Sequence, residues 1–363
     1  MSFSAVDRAH MTRALRLAER GLYTTQPNPR VGCVLAHGER SIGEGWHARA
    51  GEPHAEVFAL RAAGTQARGA TAYVTLEPCA HFGRTPPCAD ALIEAGVSRV
   101  VAACEDPNPK VAGGGFAKLR AAGIAVETGL LREAARDLNR GFFSRIERGR
   151  PWLRVKLAMS LDGRTALANN TSKWITGEAA RSDVQQWRAR SSALLTGAGT
   201  ALADDPRLTA RREGAAAVFN PLRVVLDRAL RLPRGAHLLD GSAPTLVLHA
   251  ADAACADDRF DAVERASVPL DDAGRLDLDA VLRLLAERGV NELQVEAGPT
   301  LCGALFARGL VDELLLYVAP VILGHEARPL LALPRLDEIA QARRLRVIEQ
   351  RQLGADWRLL LRE

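Results

Sequence analysis

The chain has 363 residues, a net charge of +5 at pH 7 and a hydrophobic content of 47%. This length allows two domains with separate cores, and the composition is that of a folded globular protein. The first ten residues lack a basic stretch leading into an apolar core, and apolar runs such as 313–323 are too short to cross a bilayer. We therefore expect neither a signal peptide nor a membrane span, and a cytoplasmic location.

The charged residues are dispersed, with 43 acidic residues spread through both halves. No basic stripe of the kind that binds nucleic acid is visible, and the small positive excess also suits anionic small molecules. Because export is not expected, we predict free thiols rather than disulfides. Four cysteines stand alone among apolar or small residues and are expected to be buried and inert, namely Cys33, Cys104, Cys255 and Cys302.

Helix and strand signals alternate along the first half of the chain. The predicted helices end at Gly21, Gly64 and Gly96, and glycine is a frequent helix C-cap. In chain order the prediction is helix 5–20, a hairpin of strands 31–35 and 41–46, helix 54–63, strand 71–76, helix 88–95 and strand 99–103. This order predicts a three-layer α/β domain.

A domain boundary is predicted near residues 148–151, after a polar helix at 132–140 and its short continuation. The predicted domains are therefore 1–149 and 150–363. The second half is again α/β, with strand 152–159, helix 178–190, strands 193–196, 222–227 and 245–249, helix 277–288, strand 292–296, helix 301–308, strand 313–318 and two strands within 344–362.

Three candidate zinc ligands lie at the edges of these predicted elements. Pro53 suits the first turn of a helix, so we expect His54 and Glu56 within that turn and Cys88 at the start of another helix. Helix N-termini favour thiolate over thiol. One imidazole and two thiolates, from His54, Cys79 and Cys88, would leave the fourth position of a tetrahedral zinc ion open for water. A structural zinc site would close all four positions.

Glu56 is the candidate proton carrier of this site. A His-x-Glu sequence followed by two cysteines is typical of zinc-dependent deaminases, in which activated water attacks a carbon that carries an exocyclic amine. We expect Glu56 to take the proton of the water, to protonate the ring nitrogen and to assist the departure of ammonia. Eight residues separate Cys79 from Cys88, against two in the general motif. This insertion is expected to help form the substrate pocket, and His81 to contact substrate or face solvent rather than bind zinc.

Other interpretations remain open at this point. A lone His-x-Glu is common on helix surfaces, and two cysteines taken alone are usually core thiols. One alternative is a deaminase of tRNA whose second half binds RNA, and an aromatic content of 5% without a basic stripe argues against it. The other is a non-catalytic zinc protein, and Glu56 together with the missing fourth ligand argues against that.

The second half contains no strict G-x-G-x-x-G, because Gly197-Ala198-Gly199 lacks the third glycine. A Rossmann dinucleotide site is therefore not predicted. A strand that runs into Gly298-Pro299-Thr300 and then a helix offers free amides to a pyrophosphate, although a plain helix cap has the same pattern. Lys156 and Asp204 are candidates for orienting groups, or for a buried ion pair without a chemical role.

Longer motifs extend through both halves. In the first half they are residues 26–29 and 31–33, 45–47, 51–56 (GEPHAE), 75–88 (TLEPCAHFGRTPPC), 106–109 and 111–113. In the second they are 156–164 (KLAMSLDGR), 174–176, 202–209 (LADDPRLT) and 295–301 (VEAGPTL). Together they resemble the bifunctional riboflavin-biosynthesis deaminase–reductase family over essentially the whole chain.

The resemblance implies a cytidine-deaminase-like three-layer α/β/α domain and a dihydrofolate-reductase-like α/β domain. It implies hydrolytic loss of the 2-amino group of 2,5-diamino-6-(5-phosphoribosylamino)pyrimidin-4(3H)-one, and then reduction of the ribosyl group to a ribityl chain by NADPH. The implied cofactors are Zn²⁺ and NADPH, and the partner is a phosphoribosylated pyrimidine. We expect no nucleic-acid or membrane partner, and a homo-oligomer (dimer or tetramer).

The resemblance also assigns residues. In the first half His54, Cys79 and Cys88 would hold zinc, Glu56 would be the proton donor, and the pocket would include Asn28, His47 and Asn108. The implied NADPH positions are Ala158, Trp174, Thr200, Asp204, Arg228, Gly298, Pro299, Thr300, Leu301, Cys302, Gly303 and Ala304. The implied substrate positions are Ser172, Arg188, Leu208, Arg211 and Glu296, and the two arginines suit a phosphate. Arg228 stands where the family often has a smaller polar residue.

Overall fold

The computed structural model describes residues 3–80, 86–109, 111–211 and 220–363. The chain divides into two compact units, Met1–Gly149 and Arg150–Glu363. No helix in these described ranges has both the length and the hydropathy needed to cross a membrane.

Unit 1 is built on one sheet of mixed direction. Its described elements are α1 (Ala5–Glu19), β1 (Gly32–His37), β2 (Arg40–Trp46), α2 (Ala55–Ala63), β3 (Thr71–Val74), α3 (Cys88–Glu94), β4 (Arg99–Ala102), α4 (Gly114–Ala121), β5 (Ala125–Thr128), α5 (Arg132–Leu138) and α6 (Arg140–Arg148). The strand order is β2-β1-β3-β4-β5. Strand β1 is antiparallel to β2 and β3, whereas β3, β4 and β5 are parallel.

Both faces of this sheet are buried, which gives the unit three layers. Along β1, Cys33 and Leu35 point to one side, where they pack in the core that contains Ala59 of α2. Val34 and Ala36 point to the other side and belong to the core formed with α1 and α6. A strand buried on both faces needs apolar residues at every position, since successive side chains alternate between faces.

Two elements of unit 1 are not predicted from the sequence. Helix α4 and strand β5 are both short, and α4 follows a run of glycines, so neither shows a clear hydrophobic period. One predicted position also shifts. Helix α2 begins at Ala55, so that His54 is its N-cap residue rather than part of the first turn.

Unit 2 contains a larger sheet. Its described elements are β6 (Trp152–Ser160), β7 (Arg164–Ala166), α7 (Glu178–Arg190), β8 (Ala193–Gly197), α8 (Ala198–Asp204), β9 (Leu222–Leu226), β10 (Thr245–His249), β11 (Glu264–Ser267), α9 (Leu278–Glu287), β12 (Glu292–Val295), α10 (Pro299–Ala307), β13 (Glu313–Ala319), β14 (Arg328–Pro329), β15 (Arg346–Leu353) and β16 (Asp356–Arg362). Within the described residues the sheet order is β11-β10-β9-β8-β12-β6-β13-β16-β15.

The first seven strands in this order, from β11 at the edge to β13, are parallel to one another. Strand β16 is antiparallel to β13, and β15 is antiparallel to β16. One face packs against the amphipathic helix α9 through Val281, Leu282 and Leu285. The carboxyl ends of β6, β8, β9 and β12 lie at the same edge, which is where ligands bind in open α/β sheets. Helix α8 and strands β7, β11 and β14 are not predicted from the sequence.

The other face of this sheet carries a buried arginine. Arg154 is inaccessible to solvent, and its guanidinium donates to Glu313 at 2.6 Å and to Glu292 at 3.0 Å. The ring of Trp187, from α7, lies 4.5 Å from the guanidinium carbon. A cation in such a place is held by paired carboxylates because no water solvates it.

Candidate active sites

Three metal-ligating side chains converge at one edge of the sheet in unit 1. The ligand atoms of His54, Cys79 and Cys88 all lie within 4.8 Å of one another. His54 Nδ1 is 3.3 Å from Cys88 Sγ and 3.6 Å from Cys79 Sγ. These three residues, which we call the zinc cluster, are the ones whose spacing predicts ligands.

Helix starts place the ligands of the zinc cluster. His54 caps α2, and Cys88 is the first residue of α3. Cys79 follows β3, and its sulfur accepts the backbone N–H of Cys88 at 3.3 Å. The Cys88 thiol and the imidazole of His54 both favour the charged form of Cys79, and they lower the pKa of its thiol to about 4 despite its burial.

The separations within the zinc cluster fit a tetrahedral zinc ion. Zinc lies about 2.0 Å from nitrogen and about 2.3 Å from sulfur, so the tetrahedral nitrogen–sulfur edge is about 3.5 Å. The observed edges of 3.3 and 3.6 Å match this value. No fourth His, Cys, Asp or Glu joins the group among the described residues. His81 lies outside the described residues.

Glu56 lies on the first turn of α2, two residues beyond His54. Its side chain is buried, and within the described part of the chain its Oε2 atom has no hydrogen-bond partner. Burial raises the pKa of this carboxyl group to about 6, although the neighbouring imidazole of His54 opposes the shift. A buried carboxylate with a free oxygen and a raised pKa can accept and return a proton near neutral pH.

Two predicted pocket residues, Asn28 and His47, are joined beside the zinc cluster. His47 Nδ1 lies 3.2 Å from the carbonyl oxygen of Pro53, which can only accept, so Nδ1 carries the proton. His47 Nε2 then accepts from the amide of Asn28 at 3.1 Å. Burial lowers the pKa of His47, in agreement with a neutral ring. The ring centroids of His47 and His54 are 5.4 Å apart.

The third predicted pocket residue, Asn108, is on the loop that follows β4. Strands β3 and β4 are parallel, so this loop and the Cys79 segment leave the sheet at the same edge. Glu77 is a buried carboxylate at this edge of the sheet, and the sequence assigned it no role. It lies in the motif of residues 75–88, but its partners are backbone amides, which leave no side-chain pattern.

Unit 2 contains a cleft of about 2360 Å³ at the carboxyl ends of its central strands. It brings together Lys156 and all but two of the residues predicted for NADPH and substrate. Those that line the cleft are Ala158, Ser172, Trp174, Arg188, Thr200, Asp204, Leu208, Arg211, Arg228, Glu296, Gly298, Pro299, Thr300, Leu301 and Ala304.

Cys302 and Gly303 do not line this cleft. Cys302 is buried in the core, and its thiol donates to the carbonyl oxygen of Ala297 at 3.3 Å. A Cβ atom on Gly303 would lie 2.1 Å from the carbonyl oxygen of Ala332, so this glycine permits close backbone packing. Cys302 is thus buried as predicted, whereas the prediction of a buried thiol at Cys255 is wrong. Cys255 is half-buried and bonded to Asp257 rather than enclosed in the core, because its segment is an exposed loop.

The first turn of α10 faces the cleft. The helix begins at Pro299, two residues before the predicted start, and Gly298 is its N-cap. The Gly298 amide donates to Thr200 Oγ1 at 3.0 Å, while Thr300 and Leu301 line the open side. Helix N-termini present unpaired amides and a partial positive charge, so this turn fits the pyrophosphate of a dinucleotide.

Arg188 and Glu296 form a bidentate ion pair on the wall of the cleft. The two nitrogen–oxygen distances are both 2.7 Å, and Arg188 also donates to the carbonyl oxygen of Thr209 at 3.2 Å. Burial disfavours the charged form of Glu296, but Arg188 outweighs it and holds the pKa at about 2. Arg188 is thus already paired with a carboxylate and is not presented as an open cation for phosphate.

Lys156 and Asp204 are separate in the cleft. No ion pair joins them in the described part of the chain, so the buried Lys–Asp pair considered from the sequence is absent there. Asp204 ends α8 and is exposed. Burial lowers the pKa of Lys156, with Glu296 acting in the opposite direction. The amine lies 5.7 Å from the ring centroid of Tyr317.

Comparisons with known proteins now add to this geometry. Residues 151–359 match the model of the RibD C-terminal domain, and residues 4–104 match that of the cytidine and deoxycytidylate deaminase zinc-binding region. The riboflavin biosynthesis protein RibD of Escherichia coli is 48% identical over 96% of this chain and 97% of its own length. RibD of Haemophilus influenzae is 47% identical over 99% and 98%. The chain belongs to the RibD family.

Solved RibD structures have the same fold. RibD of Acinetobacter baumannii superposes with a TM-score of 0.91 at 46% identity, covering 98% of each chain. The Thermotoga maritima protein, a diaminohydroxyphosphoribosylaminopyrimidine deaminase/5-amino-6-(5-phosphoribosylamino)uracil reductase, gives 0.86 at 33% identity, again covering 98% of each chain.

These matches confirm the predicted family, the predicted fold class and the predicted function. The chain is a bifunctional riboflavin-biosynthesis protein of the RibD type, with a cytidine-deaminase-like N-terminal part and a RibD reductase C-terminal part. The match to the zinc-binding region, residues 4–104, includes all three residues of the zinc cluster, and the geometry of the cluster is compatible with it.

Proposed function

We propose that residues 1–149 form a zinc-dependent deaminase domain and residues 150–363 an NADPH-dependent reductase domain. The first removes the 2-amino group of 2,5-diamino-6-(5-phosphoribosylamino)pyrimidin-4(3H)-one as ammonia and leaves 5-amino-6-(5-phosphoribosylamino)uracil. The second converts the ribosyl group of that uracil to a ribityl chain. The cofactors are zinc and NADPH, one for each domain.

The observation that carries the first half of this proposal is the zinc cluster with Glu56 beside it. His54, Cys79 and Cys88, whose ligand atoms lie within 4.8 Å of one another, would hold the zinc ion. When bound, zinc acts as a Lewis acid that lowers the pKa of a water molecule to about 7. A non-catalytic zinc protein has no need of a buried carboxylate here whose Oε2 atom has no hydrogen-bond partner among the described residues.

Glu56 moves the protons of the deamination. Its Oε2 atom accepts the proton of the attacking water and delivers it to the ring nitrogen of the pyrimidine. After the hydroxyl group has added to the ring carbon, the carboxylate takes the proton of the new C–OH group and gives it to the 2-amino group. The C–N bond then breaks, ammonia leaves and the carbonyl of the uracil forms. Burial of Glu56 supports both roles, since exclusion of bulk water keeps the proton between the carboxyl group and the substrate.

Asn28, His47 and Asn108 orient the pyrimidine ring. The Asn28 amide is held by the neutral imidazole of His47, which is itself fixed by the carbonyl of Pro53. Such a chain of hydrogen bonds gives one orientation of the amide, and an oriented amide can recognise the edge of a heterocycle.

In the reductase domain NADPH supplies hydride. Gly298, Pro299, Thr300 and Leu301 bind its pyrophosphate at the first turn of α10. Ala158, Trp174, Thr200, Asp204, Arg228, Cys302, Gly303 and Ala304 are the other residues that we assign to NADPH, with Cys302 and Gly303 acting through the packing of α10.

The substrate of the reductase occupies the part of the cleft near Lys156. Lys156 and Asp204 orient the open-chain imine of the ribosyl group, and Glu296, held by Arg188, binds the substrate polar groups. Arg211 is exposed at the rim and binds the phosphate, because Arg188 is neutralised by Glu296. Ser172 and Leu208 complete the contacts.

We also propose that the chain acts as a homo-oligomer, a dimer or a tetramer, in the cytoplasm. Strand β15 is an edge strand with exposed Val347 and Ile348, which supports self-association. The six cysteines form no disulfide, which supports a reducing compartment. Sedimentation of the purified chain tests the first point.

The full-length chain, loaded with zinc, tests the proposed function. Incubation with the diaminopyrimidine nucleotide alone is expected to release ammonia. Addition of NADPH is then expected to give a product with two further hydrogens, resolved by mass spectrometry. Release of ammonia from tRNA but not from the nucleotide would overturn the proposal.

A further inference from the structure

Glu77 is a buried carboxylate that binds four backbone amides. The residue is 4% exposed and lies between β3 and Cys79. One oxygen, Oε2, accepts the N–H groups of Asp106 at 3.3 Å and Gly113 at 3.0 Å. The other oxygen, Oε1, accepts those of Gly115 at 2.9 Å and Phe116 at 3.2 Å.

These four amides belong to the loop between β4 and α4 and to the first turn of α4. The loop is folded around Asn108, whose carbonyl oxygen accepts from Val111 at 2.8 Å and Ala112 at 2.9 Å. The backbone N–H of Asn108 donates to Asp106 Oδ1 at 2.8 Å. Glu77 therefore binds the loop on both sides of Asn108, at Asp106 before it and at Gly113 after it.

The same contacts attach the loop to the zinc cluster. Glu77 is two residues before Cys79, and α4 packs against the carbonyl of the residue between them, Pro78. A Cβ atom on Gly115 would lie 1.9 Å from the Pro78 carbonyl oxygen, so only glycine allows this approach. One carboxylate thus joins the segment that ends in a zinc ligand to the loop that carries Asn108.

We propose that Glu77 is a positioning residue of the deaminase site, which fixes Asn108 relative to Cys79. The proposal rests on the proposed function, in which Asn108 contacts the pyrimidine. Only a carboxylate fits the role, because each of its oxygens faces two donors. A glutamine would turn its own NH₂ group toward two N–H groups, lose both hydrogen bonds and release one side of the loop.

The first test is Glu77→Gln in the full-length, zinc-loaded chain. We expect the KM for the diaminopyrimidine nucleotide to rise about tenfold, equivalent to the loss of roughly one hydrogen bond between Asn108 and the pyrimidine, with kcat changed less than about twofold. Zinc content and NADPH oxidation on the uracil substrate should not change. Glu105→Gln is the matched control, since Glu105 is exposed on the same loop. A merely structural role would lower zinc content or kcat instead.

The second test is a double-mutant cycle with Asn108→Ala. If Glu77 acts through Asn108, Glu77→Gln should change the KM less than about twofold once Asn108 is truncated. Additive effects would overturn the proposal, as would an unchanged KM in the single variant. If Glu77→Gln does not fold, Glu77→Asp is used in the same cycle and judged by the same criteria. Failure of the unsubstituted chain to release ammonia would overturn the proposed function itself, which is a distinguishable result.

Discussion

The two candidate sites are built on different principles. The zinc cluster takes its ligands from residues 54–88 and packs them within 4.8 Å of one another. The cleft of unit 2 draws its lining from residues 156–334 and encloses about 2360 Å³. A metal-centred reaction depends on a few atoms in fixed geometry, whereas a dinucleotide needs an extended surface with many weak contacts. We therefore expect all-or-none responses to change in the first site and graded responses in the second.

Removal of zinc is expected to have the largest effect on activity. Dialysis against a chelator should abolish ammonia release, because three protein ligands without a metal cannot activate water, and readdition of Zn²⁺ should restore it. NADPH oxidation on the uracil substrate should be unaffected. Cys88→Ser should behave like the chelated protein, and Cys255→Ser, remote from the zinc cluster, like the unsubstituted one. Loss of both activities on chelation would break the distinction between the two sites.

Glu56→Gln should slow ammonia release by roughly 10²- to 10⁴-fold, the usual contribution of general acid–base catalysis. The amide keeps the shape of the side chain but cannot carry the proton. Zinc content, measured by atomic absorption, should stay at one ion per chain. Glu52→Gln is the control, since Glu52 is exposed on the same segment. Normal deamination by the Glu56 variant would refute the proton-transfer role.

Arg154→Leu tests a second contrast, between buried and exposed charge in unit 2. The substitution removes the cation between the buried Glu292 and Glu313 carboxylates and leaves Arg190 at 3.7 Å from Glu292 and Arg362 at 3.0 Å from Glu313. Breaking a buried pair in this way typically costs about 3 kcal/mol in the free energy of unfolding. The variant should lose NADPH oxidation at a lower urea concentration than the unsubstituted protein, and its ammonia release at that concentration should not change. Arg335→Leu, at a highly exposed ion pair, should shift stability by less than about 1 kcal/mol. Equal midpoints for the two variants would contradict the assigned role of Arg154.

Glu296→Gln has the smallest expected effect. It removes one charge from the Arg188 pair but leaves the remaining wall of the cleft in place, so the KM of the reductase for its uracil substrate should rise about tenfold. Ammonia release should not change. Glu178→Gln, an exposed residue of the same cleft, serves as control. A complete loss of NADPH oxidation would show that this site also depends on a few atoms.

The zinc cluster could be predicted from the sequence for a physical reason. Its ligands lie at helix starts, and helix starts carry local signals such as Pro53 that do not depend on the rest of the fold. Most of the longer elements could also be predicted from local signals, namely the period of their hydrophobic residues and glycines at helix C-caps. Helices α4 and α8 could not, because each has fewer than nine residues and no clear apolar stripe.

Contacts between residues that are far apart in the chain could not be predicted from the sequence. Arg188 and Glu296 are 108 residues apart, and each alone resembles a solvated charge on an element surface. The amides that Glu77 binds lie 29 to 39 residues along the chain and have no side-chain signature. Both arrangements require the folded sheet to bring the segments together, and only Arg188 and Glu296 carried a predicted role.

X-ray absorption at the zinc edge, on the full-length protein without substrate, tests the central claim most directly. We predict one zinc ion bound by two sulfurs at about 2.3 Å and by two nitrogen or oxygen atoms at about 2.0 Å, one of them exchangeable with solvent. A shell of four protein ligands, or a zinc ion that persists after replacement of Cys88, would contradict it.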